Sequence, residues 1–358
     1  TIYDIAKEAG VSPATVSRVL TNNAKVSDSK REQVEEVIRK HQFRPNAVAR
    51  GLSTSTRILG LMTADIRNPY YANLAVECEK AAYERGYTVL LCNIFNDKGL
   101  EDAHLEKLCA QQVEAIIQIG CRVDDLVSDP AYVEHVNQIT RGIPFIISGK
   151  LDNVDCYAVK IDHGEAMKLV MDHLVSLGHR DIAFFGGAYR VESTTEKLQQ
   201  YTYFLGAHGL SFRGEYIQEG NYAMSGGYDC MKRLLRCPHV PTAVIAVNDY
   251  SAVGAMEAAY EQGLSIPGDI SIISFDNTFL CDAVQPKLTS VDYNYPEFGK
   301  LLVETALKIV EKQEAPKIQY IKPSLVIRNS CTGVYGESMR KIREFSEKKL
   351  DKPKKRPI

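Results

Sequence analysis

Residues 2–20 read IYDIAKEAGVSPATVSRVL. Ile2, Ile5, Ala6 and Ala9 recur at helical spacing and predict a short amphipathic helix. Gly10-Val11-Ser12 breaks it, because glycine supplies the backbone angles of a tight turn. Ser12 is placed to cap a second helix, and Pro13 suits its first turn, where no N–H is needed. Val16, Val19 and Leu20 form the apolar side of that helix. Pro13, Ala14, Ser17 and Arg18 fall on the other side. A third helix is expected from about Ser27, with Val34, Val37 and Ile38 turned inward. Three short helices would then share one small core and leave the second with an uncovered polar face. This is a helix-turn-helix pattern, whose second helix suits the DNA major groove. A plain helical subdomain would show a similar pattern, so the next segment matters.

Residues 43–52 read FRPNAVARGL. Asn46 can cap a helix of little more than one turn, too short to persist alone in water. Its residues are small apart from Val48, Arg50 and Leu52. Leu52 would be an apolar tip suited to wedging between base pairs from the minor groove. Ser53-Thr54-Ser55-Thr56 follows, so a linker when free and a helix when bound are both compatible with the stretch.

In this order and spacing, the two motifs resemble the DNA-binding head and hinge helix of the LacI/GalR family of bacterial repressors, most like its catabolite-control members. The resemblance runs to about residue 331. It implies two heads on a near-palindromic double-stranded operator, held by a homodimer, with paired hinge helices inserting a leucine that Leu52 matches. Pro13 and Ala14 fall on the family's variable base-reading positions and lack hydrogen-bonding side chains. Thr15, Ser17 and Arg18 are therefore expected to carry more of the recognition, with Arg18 best suited to guanine. Asn46, Ala49, Arg50 and Leu52 complete the expected DNA contacts.

From Ile58 the pattern changes. Short apolar runs at Ile58–Met62, Tyr87–Cys92, Ala115–Ile119, Phe145–Ile147, Ile182–Phe185, Ala243–Val247 and Ile270–Ser274 alternate with helical stretches. Such alternation predicts an α/β domain of parallel sheets flanked by helices. The strands group roughly as 58–160 and 161–290, with 291–331 expected to serve both groups. Ligands of open α/β sheets bind beyond the carboxyl ends of the strands, so a cleft between two lobes is expected. The expected organisation is a head at 1–44, hinge and linker at 45–57, a two-lobed periplasmic-binding-protein-like domain at 58–331, and a basic tail at 332–358.

The resemblance also implies a small effector in the cleft, most readily a carbohydrate. Asn68-Pro69-Tyr70-Tyr71 resembles an Asn-Pro-aromatic-aromatic loop of sugar-binding relatives, where ring faces cover the C–H face of a sugar. Tyr222 matches a second aromatic wall. Asn248 falls where an amide meets hydroxyls, and Asp276 where a carboxylate accepts two hydroxyl protons. Tyr293 replaces what is often a glutamine. Gly149-Lys150 stands in place of an Asp-Arg pair. Lys197 replaces the usual effector-gripping arginine, and a lysine is a point charge without the planar double contact. Lys150 and Lys197 keep an anionic or larger glycoside open. Glu304 stands where the catabolite-control members hold a phosphocarrier protein with arginine, so that partner is not expected.

Composition agrees with this organisation. The chain has 358 residues, 45% hydrophobic and 25% charged, with a formal charge of −2. Residues 1–57 carry ten Lys/Arg against six Asp/Glu, so the cationic excess sits at the front. Nine scattered cysteines without a CxxC pair argue against a disulfide framework or a thiolate zinc site. No metal and no cofactor are expected. No apolar run approaches the roughly 18 residues of a membrane helix, and the chain opens on a polar helix rather than a signal peptide. A cytoplasmic regulator is the expectation. There is no GxSxG elbow, HExxH or P-loop to support an enzyme. A periplasmic solute binder would leave the head unexplained. Gly186-Gly187 is too short a signal for phosphate, and His163, His173 and His179 are expected to be solvated or structural.

Overall fold

The computed structural model describes residues 1–20, 26–41 and 56–334. The hinge positions Asn46, Ala49, Arg50 and Leu52, and the tail from residue 335, lie outside the described residues. The chain divides into two compact units, Thr1–Arg57 and Ile58–Ile358.

In the first unit, helices Ile2–Glu8, Pro13–Leu20 and Asp28–Lys40 enclose Ile5, Ala6, Val16, Val19, Val26 and Val34. Thr1 caps the first helix in a reciprocal box with Asp4. Gly10 takes a positive φ of 62° at the turn. Ser12 begins the second helix: its Oγ accepts from the Thr15 N–H at 3.2 Å. The ends of the bundle are tied by Glu8, whose carboxylate meets the Lys40 ammonium and the His41 ring at 2.6 Å each.

The second unit holds two six-stranded sheets. Its strands are β1 Ile58–Thr63, β2 Thr88–Asn93, β3 Ala115–Ile119, β4 Phe145–Ile147, β5 Tyr157–Ile161, β6 Ile182–Phe185, β7 Ile217–Gln218, β8 Ala243–Ala246, β9 Ser271–Phe275, β10 Thr289–Asp292, β11 Ile318–Ile321 and β12 Ser324–Val326. The first sheet runs β11–β5–β4–β3–β1–β2 and is parallel throughout. The second runs β12–β10–β9–β8–β6–β7, parallel except for β12 at its edge. Strands β3, β8 and β9 are buried at every position, as expected where helices cover both faces.

The chain crosses between lobes after β5, β10 and β11. Helix Tyr295–Val310, entered after β10, returns to the first lobe and packs on helix Pro69–Glu84. Gly299 permits the approach, since a Cβ there would lie 2.6–2.8 Å from Glu77 and Cys78. In the second lobe, helices Met224–Leu234 and Asp249–Glu261 cross as closely: a Cβ on Gly227 would meet the Ser251 carbonyl oxygen at 1.9 Å. All nine cysteines are free thiols. Among the described residues no group of three or more His, Cys, Asp or Glu could hold a metal ion, and no helix is long and apolar enough to cross a membrane.

Candidate functional site

The DNA-facing candidate is helix Pro13–Leu20. Val16 and Val19 are buried, while Pro13, Ala14, Ser17 and Arg18 are exposed on the other side. Thr15 is half-buried, and its hydroxyl lies 2.9 Å from the Ser12 Oγ. Its first engagement is thus with the turn, and a base contact must share that hydroxyl.

The second candidate is a cavity of about 650 Å³ between the lobes. Loops after the carboxyl ends of β1–β5 and β6–β10 line it, the position expected for parallel α/β sheets. Eight of the nine sequence-predicted effector residues line it: Asn68, Tyr70, Tyr71, Lys197, Tyr222, Asn248, Asp276 and Tyr293. Lys150 does not. Its ammonium pairs with Asp152 at 3.0 Å, and only the preceding Ser148-Gly149 reaches the cavity wall.

The polar groups differ in how much capacity remains. The Asn68 side-chain oxygen caps helix Pro69–Glu84, accepting from the Tyr70 N–H at 3.1 Å. It places the two tyrosines rather than offering that oxygen to a ligand. Tyr70 and Tyr71 meet edge to face at 5.0 Å, and Tyr70 meets Tyr293 in the same way at 6.3 Å. Asn248 caps helix Asp249–Glu261 through its oxygen, and its amide donates to the Tyr222 carbonyl at 3.1 Å. One amide hydrogen is left over. The Tyr222 hydroxyl is 2.6 Å from the Thr194 Oγ.

Asp276 sits on a strained turn, with φ at +101° where a non-glycine residue is rare. Neighbouring bonds pin it. Its N–H donates to the Val291 carbonyl at 3.0 Å, and its own carbonyl accepts from the Tyr295 hydroxyl at 2.9 Å. Buried Asp249 braces the turn, accepting from Ser274, Ser290 and both the N–H and hydroxyl of Thr278 at 2.6–2.9 Å. Among the described residues no hydrogen bond reaches the Asp276 carboxylate, although the residue is only 7% exposed. Burial and the Asp249 charge push its pKa well up, and the Lys197 ammonium opposes them. Lys197 is buried too; its ammonium donates to the Val247 carbonyl at 3.3 Å and lies 4.7 Å from the Phe275 ring centre. The Tyr293 hydroxyl is buried without a hydrogen-bond partner.

The cleft also holds groups that sequence reasoning missed. Asp124, after β3, lines it and receives one hydrogen bond, from the Tyr71 hydroxyl at 3.5 Å. Burial, then the charges of Glu192 and Asp125, push its carboxyl up to about 7. His163, expected to be solvated or structural, is a wall residue. Burial and nearby Lys197 and Lys160 keep it neutral, and its Nδ1 has no partner. Arg122 crosses beneath the floor to Glu101 at 2.6 Å and to Asp102 at 2.5 Å. The lobes touch at the rim: the Leu126 N–H donates to the Arg190 carbonyl at 2.7 Å, the Tyr250 hydroxyl to the Arg67 carbonyl at 2.9 Å, and Lys160 pairs with Glu192 at 2.9 Å. No local motif marks Asp124 or His163; each lies in the short stretch where the chain leaves a buried strand.

A helix-turn-helix head joined to a two-lobed ligand cleft defines a class, the ligand-responsive DNA-binding regulator. Residues 1–46 match the family model of bacterial regulatory proteins, lacI family, and residues 171–331 match that of the periplasmic binding protein-like domain. Catabolite control protein A of Priestia megaterium is 34% identical over 317 residues, covering 87% of this chain and 93% of that one. Among solved structures, the lac repressor dimer bound to operator and the anti-inducer ONPF aligns with a TM-score of 0.80 at 25% identity, over 93% of this chain and 99% of that one. The complex of the transcriptional regulator CelR with cellobiose aligns at 0.68 and 25% identity, over 92% and 99%. The chain belongs to the lacI family of bacterial regulatory proteins. It is a DNA-binding transcriptional regulator with a periplasmic-binding-protein-like effector domain.

Proposed function

We propose that the protein is a repressor that grips a near-palindromic operator as a homodimer, and that a carbohydrate-class effector between the lobes sets the strength of that grip. One observation carries this reading. The cavity joins tyrosine faces from one lobe to a buried, donor-less carboxylate, Asp276, and a spare amide hydrogen of Asn248 on the other. Ring faces suit C–H surfaces, and an unpaired carboxylate suits hydroxyl donors. The likeness to a regulator solved with cellobiose supports the same class. The protein is read as a binding protein without catalysis.

In this reading Ser17 and Arg18 contact bases, Thr15 contributes what its bond to Ser12 leaves free, and Pro13 and Ala14 give close apolar approach. Asn46, Ala49, Arg50 and Leu52 form the hinge contacts. Tyr70, Tyr71, Tyr222, Asn248, Asp276, Lys197 and Tyr293 hold the effector. Effector binding fixes the angle between the lobes, and that angle sets the separation at which two hinge segments leave a dimer. Ordering each hinge residue costs about 1–2 kcal/mol of backbone entropy, so pairing over DNA must be well placed to offset it. The resulting coupling is expected at about 1–3 kcal/mol.

A thermal-shift screen of sugars, glycosides and sugar phosphates tests the effector class. At least one carbohydrate should raise the melting temperature by several degrees and change operator affinity. A response to non-carbohydrates alone contradicts the reading.

A further inference from the structure

We propose that the effector carries an ammonium group and that Asp124 is the residue that pairs with it. This rests on the carbohydrate reading and narrows it to an amino-substituted sugar.

The argument is one of charge balance inside the closed cleft. Most cations of the wall and floor are already held in ion pairs. Arg122 is held by Glu101 and Asp102, Lys160 by Glu192, and Arg67 by Asp65. Buried Lys197 acts first on Asp276, then on Glu196, and on Asp124 least. Among the described residues, no ion pair holds Asp124. Its one donor is the neutral Tyr71 hydroxyl, at the outer limit of a hydrogen bond. Asp125 follows it in the chain, Glu192 faces it from the second lobe, and half-buried Glu196 adds a further carboxylate to the wall. Arg190 stands at the mouth, but it is exposed, and hydrated charge there is screened from the interior. A half-buried carboxylate facing other carboxylates is best kept ionised by a cationic partner.

The surroundings suit that partner. Tyr71 and Tyr222 both lie within the electrostatic reach of Asp124, and aromatic faces beside a carboxylate attract ammonium groups. The other part of the cavity asks for something different. The Tyr293 hydroxyl, on a residue 1% exposed, and the His163 Nδ1 are both unpartnered and uncharged, and both residues line the cleft. Neutral hydroxyls satisfy them. One molecule meets both needs if a polyol ring carries an amine. A phosphate is disfavoured, because Asp124, Glu192, Glu196 and Asp276 line the same cleft, and Lys197, the one buried cation without an ion pair among the described residues, acts first on Asp276.

Calorimetric titration of the full-length protein at pH 7.0 tests this. D-glucosamine, D-galactosamine and D-mannosamine are each compared with the parent hexose, the N-acetyl derivative and the hexose 6-phosphate. One amino sugar should bind at least tenfold tighter than its three counterparts. Asp124→Asn, checked for folding by its melting temperature, should cut the ratio of amino-sugar to parent-hexose affinity below threefold. A parent hexose or phosphate that binds as tightly as the amine overturns the proposal and leaves the carbohydrate reading standing, as does a preference that survives in Asp124→Asn. Binding by none of these compounds overturns the proposal, while the carbohydrate reading is decided by the wider thermal-shift screen.

Discussion

The Lys160 ammonium, on the last strand before the chain leaves the first lobe, lies 2.9 Å from the Glu192 carboxylate at the start of a second-lobe helix. Both side chains are mostly buried, and Glu196 also lies within the lysine's field. The pair therefore bridges the cleft wall. Lys160→Met leaves two carboxylates without their cation, and the closed arrangement should lose about 1–3 kcal/mol, less than a fully enclosed pair. Thermal unfolding should show a lower midpoint, and small-angle scattering a larger radius of gyration. An unchanged midpoint and radius would mean that the bridge contributes nothing to closure.

Asp124 makes stability depend on pH in an unusual direction for a carboxylate. Tyr71 on the first-lobe helix, Asp125 and Cys121 on its own loop, Glu101 beneath, and Glu192 and Tyr222 across the cleft all face it, and none is a cation. Lys197 reaches it only weakly, after Asp276 and Glu196. Its folded value of about 7 exceeds the ordinary 3.8. The folded chain thus keeps a proton that the unfolded chain has lost between those values. The penalty is absent below pH 4, grows to pH 7 and is constant above, with a ceiling of about 4 kcal/mol that lobe opening lowers. Asp124→Asn should therefore be more stable than wild type at pH 8 and equal to it near pH 4. Parallel stability curves across that window would show that Asp124 keeps an ordinary carboxylate pKa.

Beneath the floor, Glu101 accepts from Arg122, from Gln118 and from a backbone N–H, while the Arg122 guanidinium stacks 3.9 Å from the Tyr132 ring centre. Arg122→Met should cost about 3–5 kcal/mol by stranding Glu101. Arg122→Met combined with Glu101→Met should cost less than the first change alone. Denaturant unfolding of the single and double variants checks the order, and a double variant worse than the single would contradict it.

The crossing of helices Met224–Leu234 and Asp249–Glu261 depends on Gly227. Its Cα faces backbone atoms of Ser251, which cannot turn aside as a side chain can. Gly227→Ala should destabilise by about 1–3 kcal/mol or more through overpacking. Because helix Asp249–Glu261 is capped by Asn248, weaker ligand binding should accompany the lower melting temperature. A variant with wild-type stability would show that the helices separate freely.

The core strands are legible in the sequence because burial on both faces turns them into unbroken apolar runs, as in Ala115–Ile119 and Ala243–Val247. Strands β5, β7, β10, β11 and β12 do not stand out in the same way. Tyr157–Ile161 mixes Lys160 into its run. Strands β11 and β12 are edge strands, and exposed residues such as Ile318 and Tyr320 blur the pattern. Most of the cleft is legible through Asn68, Asn248 and Asp276, which sit at fixed places after strands. Lys150 misleads because its neighbour Asp152 captures its charge. Asp124 and His163 are hidden because their environment is assembled from both lobes, and no stretch of sequence displays it.

The coupling itself is tested most directly by operator affinity measured by fluorescence anisotropy, with and without the carbohydrate that gives the largest thermal shift. Wild type should change its operator Kd by about 5–150-fold on adding that carbohydrate. Asp276→Asn should bind operator as wild type does in the absence of sugar, and should show less than a twofold change in its presence. A full response in Asp276→Asn, or a wild-type protein whose operator Kd ignores the bound sugar, would contradict the account.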